Sequence, residues 1–406
     1  MNRLNNARNE GPPGSAEGEP AAAEIVFDRA TKTYPGRSEP AVNELSLRIA
    51  AGEICMLVGP SGGGKTTALK MINRLIDFEG GDITIDGRSV RSLEVNRLRR
   101  GIGYVIQQIG LFPHMTVEAN IGTVPRLLGW ERDRIRRRAR ELIELVGLEP
   151  DRDGRRYPAQ LSGGQRQRVG LARALAADPP VMLMDEPFGA LDPITRERLQ
   201  HEFLALQERL RKTVVFVTHD IDEAITMGDR IAILREGGLL AQYDTPDRIL
   251  AEPVDDFVAQ FVGADRGLKR LVLRRLRDIE PIYPPAARVG DNAQAALARV
   301  RRAGYETLVI VDDDGRPTGL LPIDRLAADR VPATRAEPLG AVGTPDMLLR
   351  DALSLMLSQT GSHLVVVDEE GRLAGLVSAV LISEALATDR ADLLGRPVRA
   401  KAEATT

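Results

Sequence analysis

Short apolar runs alternate with longer amphipathic stretches through most of this chain. The runs 54–58, 181–184 and 214–217 are too short for ordinary helices and predict strands buried on both faces. Between them, segments such as 68–75 and 166–175 carry the helical period, so residues 24–262 are expected to form one α/β domain. Residues 1–23 are rich in Asn, Gly, Pro, Glu and Ala with scarcely an apolar side chain, and are expected to form a disordered tail. A basic segment, 263–278, follows the α/β domain. On a helix it would put Leu268, Leu271, Val272, Leu276 and Ile279 on one face and leave Lys269, Arg270, Arg274, Arg275 and Arg277 largely off it, so a basic linker helix is predicted.

Beyond the linker the pattern repeats. Residues 308–321 match 364–377 as strand, acidic turn, strand, and amphipathic helical patterns precede both copies at 293–302 and 348–357. Two copies of one small α+β unit are implied, at 279–329 and 338–390, with a tail at 391–406.

At 406 residues the chain needs more than one core. A net charge of −3 and a pI near 6.0 provide no global attraction to nucleic acid, and no nucleic-acid partner is expected. The single Cys55 lies within an apolar run, which suggests a buried hydrophobe in a reducing compartment. No apolar stretch approaches the roughly 18 residues needed to cross a bilayer, so a membrane role would be peripheral.

The strand at 54–58 runs into Gly59-Pro60-Ser61-Gly62-Gly63-Gly64-Lys65-Thr66-Thr67, and a helical pattern follows. Glycines in that setting let backbone N–H groups converge on phosphate oxygens while the helix presents its positive end; Lys65 adds a full charge and Thr66 a hydroxyl for magnesium. Nucleoside triphosphate binding is the expectation. Asp185 and Glu186 end the run 181–184, at the edge where parallel sheets present ligand sites. Asp185 is placed to hold Mg2+, directly or through water, and Glu186 to polarise a water toward the γ-phosphate. A second glycine turn, Leu161-Ser162-Gly163-Gly164-Gln165, opens a helical run and makes another anion site.

Together these three motifs resemble the ATP-binding subunit of an ATP-binding cassette (ABC) transporter. The resemblance spans 24–262 and implies a P-loop NTPase cassette with a RecA-like core, an antiparallel β subdomain and a helical subdomain. It further implies that Tyr34 stacks on adenine and that Gln107, with Gln108 as the other register, contacts magnesium and water. His219 would be the switch histidine that contacts the γ-phosphate. Gly189-Ala190-Leu191-Asp192 resembles the loop crossing the dimer interface, although Ser is commoner at the first position. In that family Ser162, Gly163, Gly164, Gln165 and Asp192 of one subunit complete the ATP site holding Lys65 of the other, which implies a homodimer. Residues 112–120 and the helices after them resemble the subdomain that docks the permease, and the arginine-rich run 132–140 is expected on a solvated face.

The C-terminal repeats resemble tandem cystathionine-β-synthase (CBS) modules. A cassette followed by such modules is similar to importers of glycine betaine, choline, proline betaine and related osmolytes. That implies permease subunits, an extracytoplasmic substrate-binding protein and a place on the cytoplasmic face of the membrane. Adenosine-binding modules usually place Thr/Ser and then Asp after a glycine, whereas here Gly319 is followed by Pro322 and Arg325, and Gly375 by Ser378 and Leu381. Ionic strength or a cyclic dinucleotide remains open as the signal, as does a purely structural role. The linker suggests either anionic lipid as a partner or plain packing on the neighbouring domain. Alternatives in other classes are a soluble ABC ATPase acting on ribosomes or DNA and a nucleotide-responsive regulator. The first would carry two cassettes or long coiled coils, and this chain has neither.

Overall fold

The computed structural model describes residues 22–393 except 107–109, 190, 304, 306, 327–328, 333–335, 341 and 359–362. The chain forms two compact units and passes from the first to the second between Pro246 and Asp247.

The three apolar runs become adjacent strands of a six-stranded sheet. Its order is Leu240–Asp244, Arg230–Leu234, Ile54–Val58, Thr213–Val217, Val181–Asp185 and Ile102–Val105, parallel throughout except for the antiparallel edge strand Leu240–Asp244. Every residue of the three central strands is buried, as a parallel sheet covered on both faces requires. Cys55 is fully buried there, and burial pushes its thiol up to about 12.

A second sheet, ordered Val42–Ile49, Ile25–Lys32, Gly80–Ile85 and Arg88–Ser89, is antiparallel. Its inward residues Ile25, Phe27, Leu45 and Ile83 share one core with Leu57, Leu183 and Val217 of the parallel sheet and with Leu69 and Ile72 of the helix Lys65–Ile72. Between the strands Ile102–Val105 and Val181–Asp185 lies a run of helices that includes Val117–Ile121, Arg132–Leu145 and Gly163–Ala174. The fully buried Asn120 accepts from the Phe112 N–H and donates to the carbonyls of Phe112, Met115 and Thr116, which fixes the exposed turn 112–114 on this subdomain. Along 132–140 only Ala139 is buried, in keeping with the solvated face expected there.

In the second unit both repeats form the expected hairpin, and they form it in the same way. Thr307–Val311 pairs with Pro317–Pro322, and His363–Val367 pairs with Leu373–Ser378; the register shifts after Ile310 in one copy and after the equivalent Val366 in the other. The helices Ala293–Arg302 and Leu349–Ser358 precede them. The two copies also exchange segments: Ile282, leading into the first, pairs with Leu376 of the second, while Glu337 and Pro338, leading into the second, pair with Leu320 and Gly319 of the first.

Several boundaries differ from expectation. Ala23, assigned to the tail, is buried in the first core, and residues 1–21 lie outside the described residues. The helix Ala379–Leu393 runs past 390, and 394–406 lie outside the described residues. The helix Asp256–Val262 groups with the second unit rather than the first.

The single linker helix is also overturned. Residues 263–278 contain a four-residue α-helix, Arg266–Lys269, and two 3-10 turns, Arg270–Val272 and Leu276–Asp278. Long-range ion pairs outweigh the helical period. Arg270, only 5% exposed, donates to Asp247 at 2.8 Å and to the Leu386 carbonyl at 2.9 Å; Arg274 meets the other oxygen of Asp247 at 3.3 Å. Arg277 pairs with Asp346, and Leu271, Leu276 and Ile279 are buried in the core of the second repeat.

Asp247→Ala would strand the Arg270 cation, whose Nη2 already lacks a partner, in a buried setting. Breaking a buried pair this way costs about 3–5 kcal/mol. Scanning calorimetry of the full chain is expected to show the transition of the second unit at lower temperature; an unchanged transition would contradict this account of the linker.

Candidate functional site

The strand Ile54–Val58 delivers the chain into the glycine loop, and its geometry demands glycine at two points. Gly59 has φ 147°, and a Cβ there would stand 2.1 Å from the Leu234 carbonyl oxygen; Gly64 has φ 75°, and its Cβ would stand 2.1 Å from that of Ala41. The helix Lys65–Ile72 starts with no side-chain cap, which leaves its first-turn amides for an external acceptor. Lys65 is 8% exposed and its Nζ donates to the carbonyls of Gly59 and Pro60, each at 2.8 Å. Burial lowers its pKa, opposed by the nearby Glu186 and Asp185. The cation is thus held against the loop beside the uncapped first-turn amides, and an anion would complement both.

The Thr66 hydroxyl donates to Asp185 Oδ1 at 2.8 Å, which ties the loop to the end of the neighbouring strand Val181–Asp185. Asp185 is 6% exposed, and burial raises its pKa against the Thr66 hydrogen bond and the Lys70 ammonium 4.0 Å away. A buried carboxylate beside a hydroxyl is a pair of hard oxygens, which fits a small divalent cation whose remaining ligands are phosphate oxygens and water. Among the described residues no cluster of three or more His, Cys, Asp or Glu could hold a metal without such help.

Glu186 follows directly with φ 45°, a left-handed conformation that costs a non-glycine residue about 1–2 kcal/mol. Its N–H donates to the Val217 carbonyl at 3.0 Å, and its Oε1 lies 3.4 Å from His219 Nδ1. The turn sends the Glu186 side chain into the same cleft as the loop. That cleft, about 1010 Å³, is lined by Tyr34, by Ser61, Gly62, Gly63, Gly64, Lys65, Thr66 and Thr67, and by Glu186 and His219. The Tyr34 hydroxyl stands 3.2 Å from Thr67 Oγ1.

Arg37, Glu39 and Glu236 also line the cleft and were not anticipated. They sit in turns with no motif of their own and reach the site only through the fold. Lys70, one turn along the loop helix, carried no signal either.

Other expected residues lie elsewhere on the first unit. Ser162 Oγ accepts from the Gln165 N–H at 3.2 Å and Gln165 Oε1 accepts from the Ser162 N–H at 2.9 Å, a capping box at the start of Gly163–Ala174. Asp192 caps the helix Pro193–Leu210 by accepting from the Thr195 N–H at 3.0 Å. Neither Ser162, Gly163, Gly164 and Gln165 nor Asp192 lines the cleft of its own chain. Gln107, its alternative Gln108 and Ala190 lie outside the described residues.

The family model "ABC transporter" matches residues 42–189, and the model "CBS domain" matches 344–387. The chain is 45% identical over 371 residues to the osmoprotectant import ATP-binding protein OsmV of Salmonella typhimurium, covering 90% of this chain and 97% of that protein. It is also 45% identical to the choline transport ATP-binding protein OpuBA of Bacillus subtilis, over 87% of this chain and 94% of the other. Among solved structures, a dimeric ATP-binding cassette in a post-hydrolysis state with ADP and Pi aligns with a TM-score of 0.50 and 37% identity, over 55% of this chain and 98% of that one. The first unit therefore has the P-loop NTPase fold of an ABC cassette, and the second contains a CBS domain.

Gly64→Ala would force the loop off the Ala41 carbonyl at a left-handed position. A penalty of about 2–3 kcal/mol corresponds to a roughly 30- to 150-fold weaker nucleotide affinity. Calorimetric titration with ATP checks this, with the thermal transition of the first unit as the control for folding.

Proposed function

The chain belongs to the ATP-binding proteins of ABC transporters, and from that premise we propose that it powers the uptake of osmoprotectants such as glycine betaine, choline or proline betaine. The observation that carries the ATPase reading is the convergence of Lys65, the Thr66–Asp185 pair and the Glu186–His219 pair at one end of the parallel sheet. The substrate reading rests on the relatives named for osmoprotectant and choline import.

ATP is the substrate of the site. The first-turn amides and Lys65 bind its phosphates, and Tyr34 at the far side of the loop stacks on the base. Thr66, Asp185 and Gln107 would hold Mg2+, which when bound neutralises charge on the phosphate oxygens. Glu186 orients and polarises the attacking water, and His219, beside it, faces the γ-phosphate. Ser162, Gly163, Gly164, Gln165 and Asp192 complete the site of a second copy, so the working form is a homodimer. Their position outside their own cleft, with the Ser162 and Asp192 side chains exposed, supports that reading.

The dimer acts at the cytoplasmic face of the membrane, with two permease chains and an extracytoplasmic substrate-binding protein as partners. No helix among the described residues is long and apolar enough to cross a membrane. The exposed turn 112–114 is the proposed contact with the permease. The CBS module regulates the ATPase in response to ionic strength or a cyclic dinucleotide. For the linker, packing is favoured over lipid, because Arg270, Arg274 and Arg277 are engaged by Asp247 and Asp346 within their own unit.

Glu186→Gln is expected to lower ATP turnover by about 100-fold or more while ATP binding persists. Wild-type turnover in this variant would refute the assignment. Uptake of labelled quaternary amines and proline, compared in cells with and without the chain across external salt, tests the transported class; salt-stimulated uptake should require the chain.

A further inference from the structure

Beneath His219 lies a buried carboxylate for which the reaction as described has no use. Glu223 is 8% exposed, and burial raises its pKa, aided by Asp220 and opposed by the Thr218 and Gln200 hydrogen bonds and by Arg196. Its Oε1 accepts from Gln200 Nε2 at 2.9 Å, and its own N–H donates to Asp220 Oδ1 at 3.3 Å. The hydroxyl of Thr218, a residue 2% exposed, accepts from the Asp220 N–H at 3.0 Å. The hydrogen bonds thereby fix the backbone on both sides of His219.

The donor Gln200 sits on the helix Pro193–Leu210, which Asp192 caps. One turn before it, Arg196 donates to the Leu191 carbonyl at 3.3 Å and pairs with Asp220 at 3.6 Å. Both ties connect the segment around Leu191 and Asp192 with the segment around His219. The same segment returns to the reacting acid, because the Gly189 N–H donates to the Glu186 carbonyl. With the 3.4 Å contact between Glu186 and His219, the links form a closed ring.

We propose that Glu223 is a positioning residue for ATP hydrolysis: through Gln200 and Asp220 it locks the His219 loop to the helix that follows Asp192. A displacement of that helix by a second copy would then be felt as a displacement of His219 against Glu186. The proposal rests on Glu186 and His219 being the hydrolytic pair.

The test is steady-state ATPase of the full-length chain with Glu223→Ala, Glu223→Gln, Gln200→Ala and the double alanine variant, with Glu186→Gln alongside. Glu223→Ala is expected to lower kcat about tenfold with the KM for ATP within about threefold, since phosphate binding lies elsewhere in the cleft. Glu223→Gln should stay within about threefold of wild type, because its side-chain carbonyl can still accept from Gln200 Nε2. Gln200→Ala should lower kcat similarly, and the double variant should be no worse than the worse single one. Unchanged kcat in Glu223→Ala, additive losses in the double variant, or a loss in Glu223→Gln as large as in Glu223→Ala would each overturn the proposal. Should Glu223→Ala fail to fold, Gln200→Ala and Glu223→Gln still decide it. Activity retained by Glu186→Gln would instead overturn the reading of the site beneath it.

Discussion

Leu57 and Asp185 both pair with Val217, so the three central strands stop at one level of the sheet. That shared level is the constraint on which the site depends. Parallel strands in register bring their following residues to one edge, so Gly59, Glu186 and Thr218, far apart in the chain, emerge side by side. The crossover helices are forced to the faces, and the loop helix Lys65–Ile72 points its uncapped end at the same edge. Burial of every residue in the three strands makes the register costly to shift, and the positions of the side chains above it inherit that rigidity.

Rigidity of the sheet allows unfavourable arrangements at its edge. Asp185 is held where burial opposes its charge, Glu186 where its backbone is strained, and Lys65 where burial favours loss of its proton. Each is individually a liability for folding, and two of the three are relieved by an incoming group of the right sign: a cation for Asp185, an anion for Lys65. The core beneath holds them in place until a ligand arrives.

The strands were legible in the sequence because full burial leaves an unbroken apolar run, and the loop because Gly59 and Gly64 have no sterically acceptable substitute. The repeats were legible to the level of their shared register. What sequence could not show depends on pairings across distance. The pattern of 263–278 satisfies a helix, yet Asp247 draws Arg270 and Arg274 together and the helix breaks at Arg270. A periodicity read along the chain has no access to a carboxylate more than twenty residues away. Asp247 also explains why the second unit starts before the composition changes. Arg37, Glu39 and Glu223 share this character: each matters through the neighbours that the fold supplies.

The C-terminal repeats add a constraint of their own. Ile282 pairs with the second copy and Pro338 with the first, so each hairpin takes an edge partner from the segment that leads into the other, beside the one from its own: Ala286–Arg288 on Thr307–Val311, and Gly343 on Val366. The buried Val309, Val365 and Leu376 then form a core common to both. Neither copy can shift its hairpin without disturbing a segment that leads into the other, so the two copies are coupled within the second unit. That unit is joined to the cassette by continuous chain, from the edge strand Leu240–Asp244 through Pro246 to Asp247, the residue that Arg270 and Arg274 grip. Arg270 donates as well to the carbonyl of Leu386 in the last helix of the second repeat. The Arg270 guanidinium thus ties the start of the second unit, at Asp247, to the last helix of its second repeat through a buried ion pair, whose disruption is costly.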